Sequence, residues 1–139
     1  MKKRKKSNEN NTFDPQKMIL SDTTPFSVQE AYKTLRTNVT FSLPGSGCKC
    51  IGITSAQRAD GKSSISVNLA ISLAQINKKV VLIDCDLRLP TIAQKFNIRP
   101  IPGLSNWLSG DIEEIPLTHL DDKTSIYFPQ AICPRTPPP

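Results

Sequence analysis

The sequence predicts an α/β fold, an open parallel sheet flanked by helices, and three observations predict it. Residues 50–55 and 79–84 are short β-prone runs, and the second is apolar at consecutive positions (Val80, Val81, Leu82, Ile83), as in a strand covered on both faces. Between them Val67, Leu69, Ala70, Leu73, Ala74 and Ile76 recur at helical spacing, with Asn77 and Lys78 as a stop. A polar, glycine-bearing turn from Ala56 to Ser63 joins the first run to that helix. Strand, turn, helix and strand make a βαβ unit, whose right-handed crossover sets the two strands parallel.

The remaining elements follow in order. Residues 1–24 lack apolar periodicity and read as a flexible basic arm. A helix then runs from Ser27 to about Phe41, with Ser27 capping its third amide and Glu30 reaching back to the cap. Ala31, Leu35 and Val39 form its apolar stripe, while Glu30, Lys33 and Arg36 lie on the polar side. Leu43-Pro44-Gly45-Ser46-Gly47 breaks the chain before the βαβ unit. Beyond Asp84, residues 91–96 and 104–108 read as short helical runs, and Ile126-Tyr127-Phe128 as a third strand. Cys133-Pro134-Arg135-Thr136-Pro137-Pro138-Pro139 is too proline-rich for regular structure. The organisation is therefore an arm over 1–24, a domain over 25–128 and an irregular tail over 129–139.

At 139 residues the chain has room for one ordinary domain. Its net charge is +6, but Lys2, Lys3, Arg4, Lys5 and Lys6 supply five of those charges. The rest is near neutral, which argues against a nucleic-acid-binding surface. Ser7-Asn8-Glu9-Asn10-Asn11 follows the basic run where a secretory signal needs an apolar stretch, and no segment approaches the roughly 20 apolar residues of a membrane span. A cytoplasmic protein is expected. The basic run itself reads either as a solvated tail or as a weak contact with anionic lipid. Cys48, Cys50, Cys85 and Cys133, with His119 the one histidine, match no zinc spacing and read as reduced thiols.

Two clusters carry chemistry. Ala56-Gln57-Arg58-Ala59-Asp60-Gly61-Lys62-Ser63 fits a phosphate-binding loop with Ala in the first position, lying between a strand and a helix as the motif requires. Backbone amides from Asp60 to Ser64 would meet a polyphosphate at the positive end of the helix. Lys62 would neutralise the β- and γ-phosphates and Ser63 would offer its hydroxyl to Mg²⁺, while Gly61 lets the backbone approach without a Cβ. Asp84 and Asp86 stand at the C-terminal end of the second strand, the sheet edge where ligands bind. Of these two carboxylates, one can hold metal and the other can accept a proton from an attacking hydroxyl, as phosphoryl transfer requires.

Four stretches together resemble the bacterial tyrosine kinases of capsular and exopolysaccharide synthesis. They are Glu30-Ala31-Tyr32-Lys33-Thr34-Leu35-Arg36-Thr37-Asn38, the loop ending Asp60-Gly61-Lys62-Ser63-Ser64, the run from Val81 through Asp84, Asp86 and Arg88 to Pro90, and Gly103-Leu104-Ser105-Asn106-Trp107-Leu108-Ser109-Gly110. The resemblance spans about residues 25–120 and implies a P-loop NTPase-type sheet, of which this chain carries the N-terminal part. It implies ATP held by Ala59, Asp60, Gly61, Lys62, Ser63, Ser64 and Arg88, with Mg²⁺ at Ser63, Asp84 and Asp86. Lys62, Asp84 and Asp86 would be the catalytic residues. It further implies a membrane-anchored activator of polysaccharide export that recruits the chain to the inner face of the membrane. Homo-oligomers would form through the Glu30-Lys33-Arg36 helix and phosphorylate neighbours in trans.

The sequence departs from that family in several places. Arg58-Ala59-Asp60 stands where the family usually has Pro-Gly-Glu, so Ala59 must adopt a conformation that glycine takes more easily. Lys33 replaces a common arginine, losing a bidentate partner for carboxylate. The family continues into a strand with a Walker B aspartate and a tyrosine cluster, whereas this sequence holds only Tyr32 and Tyr127. The family's Leu-Pro-Pro-Asn-Pro appears one reading frame away under one codon choice for Ile132 to Pro137. A frameshifted, truncated kinase with impaired activity is therefore expected. Two other functions remain open: a partition or cell-division-type ATPase, although Gln57 stands where those proteins usually place a lysine, and a non-catalytic oligomerisation module.

Overall fold

The computed structural model describes residues 19–86, 91–98, 102–121 and 124–129, from Leu120 onward by backbone alone. Residues 130–139 of the expected frameshifted tail and Arg88 lie outside the described residues, as do residues 1–18 of the arm, whereas Pro129, expected in the irregular tail, is the last residue of a strand.

Helix α1 spans Phe26–Ser42. It starts earlier than the Ser27 cap predicts: Pro25 is the N-cap residue, without a side-chain cap bond, and its carbonyl accepts from the Val28 and Gln29 amides at 2.9 and 3.1 Å. Proline's fixed φ suits a helix entry, which places Ser27 within the first turn. Glu30, freed from capping, pairs with Lys33 at 2.8 Å.

Helix α2 spans Lys62–Ala74 and is the hub of the fold. It ends as Asn77 and Lys78 predict, in a Schellman turn: Asn77 adopts φ 59°, its amide bonds Ala74 O at 2.9 Å and the Lys78 amide bonds Leu73 O at 3.3 Å. One side packs Ala70 and Ala74 with Ile71 against Val80 and Leu82. Val67 packs with Ile92 and Ala93, joined by Ile19 and Phe96.

The opposite side of α2 is polar yet buried. Asn68 (4% exposed) accepts from the Leu20 amide at 2.8 Å and donates to the Tyr32 hydroxyl at 3.2 Å. Ser72 is fully buried, its carbonyl accepting from Arg36 Nη1 at 2.7 Å. Tyr32 and Arg36, spaced i,i+4 on α1, thus meet Asn68 and Ser72, spaced i,i+4 on α2. This corrects the reading of α1, since Ala31 of the expected apolar stripe is exposed and Arg36 of the expected polar face turns inward. A hydrophobic count misses such a seam because each buried polar atom is matched by a partner across it. It also ties down the end of the expected arm: Leu20 is buried, and Ser21 and Thr24 close a turn.

The sheet is small and mixed, with order β1-β3-β2. Strand β1 (Val80–Val81) pairs parallel with β3 (Thr124–Pro129) in register Val80 with Ile126, while β2 (Leu117–Asp121) pairs antiparallel with β3. The expected third strand at Ile126-Tyr127-Phe128 is present, and β2 was not anticipated from its weak alternation. Two expectations are corrected. Residues 50–55 belong to no strand: the ladder partner of β1 is β3, and Gly52 weakens a run that has no ladder to hold it. The apolar run after Lys79 is covered on one face only: Val80 and Leu82 pack on α2, whereas Val81 and Ile83 are 52% and 47% exposed. Two short helices, α3 (Ile92–Lys95) and α4 (Leu104–Leu108), complete the described fold. Among the described residues no helix is long and apolar enough to cross a membrane, and Cys48, Cys50 and Cys85 are free thiols.

Candidate functional site

The loop between residues 55 and 62 is closed by its own side chains. Ser55 Oγ donates to Gln57 O at 2.9 Å, and the Gln57 amide donates to Asp60 Oδ2 at 3.0 Å. The second bond makes an acid at position 60 a natural closing residue for the turn. Gly61 is the N-cap of α2 in the left-handed region, φ 86° and ψ 7°, and nothing lies within 4 Å of where a Cβ would project. Glycine is needed there for the backbone angle, and the space above it is open. No side chain caps α2, so its first-turn amides point at that space from the positive end of a 13-residue helix. Lys62 is half-buried, and its ammonium has no partner among the described residues.

Ala59 has φ 65°, the conformation expected from its place in the loop. A left-handed alanine costs roughly 1–2 kcal/mol in the folded state, partly offset because glycine is more disordered when unfolded. Ala59→Gly is therefore expected to stabilise the chain by up to about 1 kcal/mol, raising the melting midpoint by about 3–5 °C in a thermal scan. An unchanged midpoint would mean that the loop is not strained at this residue.

Asp84 is brought to the same place. It lies just beyond β1, only 6% exposed, and is the acceptor of a tight set of amides: Asp86 N on Oδ1 at 3.0 Å, and Thr91 N and Ile92 N on Oδ2, both at 3.2 Å. A carboxylate at the start of α3 satisfies amides that the short helix leaves open. Thr91, so held, donates from Oγ1 to Ser63 Oγ at 3.3 Å. One turn later Lys95 Nζ donates to Ser64 Oγ, also at 3.3 Å. Ser63 and Asp84 thus meet at Thr91, Ser64 meets Lys95, and Asp86 is joined to Asp84 through its backbone amide. Lys62 precedes Ser63 at the head of α2 and makes no described contact with the acids. Sequence reasoning missed Thr91 and Lys95, although a threonine before a helical run is a start signal and the pair has i,i+4 spacing.

Ser63 Oγ and the carboxylates of Asp84 and Asp86 are hard oxygen donors, the kind Mg²⁺ selects when substrate phosphate completes its shell. No cluster of three or more His, Cys, Asp or Glu side chains occurs among the described residues, so the protein alone offers no complete cage. The donor set fits a metal carried in with a phosphate.

Residues 51–114 match the family model for the CobQ/CobB/MinD/ParA nucleotide binding domain, which covers the loop, the acids and both short helices. The tyrosine-protein kinase YwqD of Bacillus subtilis is 42% identical over 94 residues, spanning 67% of this chain and 40% of that kinase. The tyrosine-protein kinase CpsD of Streptococcus agalactiae is 41% identical over 86 residues, 61% of this chain and 37% of its own length. The chain is a family-level match to the bacterial tyrosine kinases. The tyrosine-protein kinase ptk of Acinetobacter johnsonii extends the match, 40% identical over 81 residues but only 11% of that longer protein. Among bacterial tyrosine kinases this chain spans about two fifths of the length of the first two relatives and about a tenth of the third. The matched model is that of a nucleotide binding domain, and the relatives' family is one of enzymes.

Proposed function

We propose that this chain binds Mg-ATP at the Gly61 loop as the nucleotide-binding part of a bacterial tyrosine kinase that regulates capsular or exopolysaccharide synthesis. The observation that carries the reading is the join between loop and acids: Ser63, which opens α2, and Asp84, beyond β1, both bond Thr91. Amides from Asp60 to Ser64, with Ala59 shaping the turn, hold the polyphosphate. Lys62 sets its charge against the β- and γ-phosphates, and Arg88 adds a second cation. Ser63 and the carboxylates of Asp84 and Asp86 would hold Mg²⁺, which when bound neutralises phosphate charge.

The two acids divide the work. Asp84 already accepts three amide hydrogens, so little of its accepting capacity remains. It would serve chiefly as the fixed point of the site, its remaining lone pair available to the metal's surroundings. The proton of an attacking tyrosine hydroxyl is assigned to Asp86, which is half-buried where Asp84 is buried and so is more open to an incoming substrate. A membrane-anchored activator and further copies of the chain are the partners this role calls for. Glu30 and Lys33 are exposed on α1 for such contacts, whereas Arg36 is engaged with Ser72.

The domain boundaries at 25 and 128 and a cytoplasmic setting belong to the same proposal. A partition or cell-division-type ATPase is the second reading, favoured by the MinD/ParA description of the matching family model. Incubating the chain with labelled ATP, alone and with its full-length relatives, separates the two. Label on tyrosine supports the kinase; phosphate release stimulated by DNA or lipid, without labelled tyrosine, supports the ATPase and contradicts the kinase.

A further inference from the structure

We propose that Thr91 is a positioning residue of the nucleotide site, its hydroxyl fixing the Ser63 hydroxyl in the orientation that receives the metal ion. The inference rests on the Mg-ATP reading above and adds to it a residue and a role for α3.

The Thr91 backbone is held first. Its amide donates to Asp84 Oδ2 at 3.2 Å, and the next two residues, Ile92 and Ala93, are 3% and 4% exposed against Val67 of α2. With the backbone fixed, Thr91 Oγ1 reaches Ser63 Oγ at 3.3 Å. Lys95, on the same face of α3, reaches Ser64 Oγ at the same distance. Two consecutive hydroxyls at the head of α2 are therefore addressed by two residues spaced i,i+4, the N-cap Thr91 and the last residue of α3, Lys95. A serine near a helix start otherwise chooses among staggered rotamers. A donor placed on one lone pair of Ser63 leaves the second for a cation and removes the competing orientations. Asp84 then acts on Ser63 through Thr91, which gives this buried carboxylate a function in the site that needs no direct contact with metal.

The distance sets the size of the effect. At 3.3 Å the bond is longer than the usual 2.5–3.0 Å of a hydroxyl pair, so its contribution is that of a modest neutral hydrogen bond, about threefold to tenfold in affinity. The test is a titration of the purified full chain with ATP, in Mg²⁺ and in EDTA, for wild type, Thr91→Val and Thr91→Ser. Valine keeps the shape and removes the hydroxyl. The gain in ATP affinity conferred by Mg²⁺ is expected to shrink about threefold to tenfold in Thr91→Val and to return in Thr91→Ser. An equal loss with and without Mg²⁺ overturns the proposal, since the hydroxyl would then serve packing alone. A Mg²⁺ gain equal to wild type in Thr91→Val overturns it while leaving the Mg-ATP reading intact. Wild-type protein that binds no ATP under either condition overturns both.

Discussion

Replacing Lys62 with methionine is expected to weaken ATP binding between about tenfold and a hundredfold while leaving the fold in place. Lys62 is half-buried at the head of α2, and among the described residues its ammonium has no partner, which leaves it available to a phosphate. Charge-assisted bonds to phosphate contribute roughly 1.5–3 kcal/mol, which sets that range. Methionine keeps the unbranched stem and its packing, so stability should change by less than about 0.5 kcal/mol. Fluorescence titration with a labelled ATP analogue reads the first quantity and urea unfolding the second. Equal affinity in the two proteins would remove the loop from the nucleotide site.

Asp84→Ala is expected to be the most destabilising single change at the site, by about 2–4 kcal/mol in urea unfolding. The mechanism is specific: Asp86 N, Thr91 N and Ile92 N lose their acceptor in a position only 6% exposed, and buried donors without partners cost about 1–3 kcal/mol each. The loss stays below the sum of three such terms because α3 can fray and admit water. Asp84→Asn keeps one acceptor oxygen and should cost less, about 1–2 kcal/mol. If alanine were as stable as wild type, α3 would not depend on this carboxylate, and the link from Asp84 through Thr91 to Ser63 would lose its support.

Much of the helical part was legible in the sequence. Helix α2 announces itself through apolar spacing from Val67 to Ala74, and its end through Asn77, whose left-handed φ closes the last turn. The strain at Ala59 is also readable, because a loop position that favours glycine leaves a non-glycine residue at positive φ. The rest depends on which elements meet. Periodicity marks Ala31, Leu35 and Val39 as the inner face of α1, yet the seam with α2 is built from Tyr32 and Arg36 meeting Asn68 and Ser72, a pairing that exists only once both helices are placed. The sheet was the least legible part. Consecutive apolar residues from Val80 to Ile83 predict cover on both faces, whereas the described chain covers one. In the site, Gly61, Lys62 and Ser63 are readable because their chemistry is local. Thr91 and Lys95 gain meaning only from the docking of α3 on the first turn of α2.

If the Gly61 loop and the acids beyond β1 form a single Mg-ATP site, the backbone amide resonances of the 15.4 kDa chain will report it. On titration with Mg-ATP, the amides of Asp60 to Ser64 and those of Asp86 and Thr91 should shift together along one saturation curve. Shifts confined to the loop, with Asp86 and Thr91 unmoved at saturation, would mean that the acids lie apart from the nucleotide.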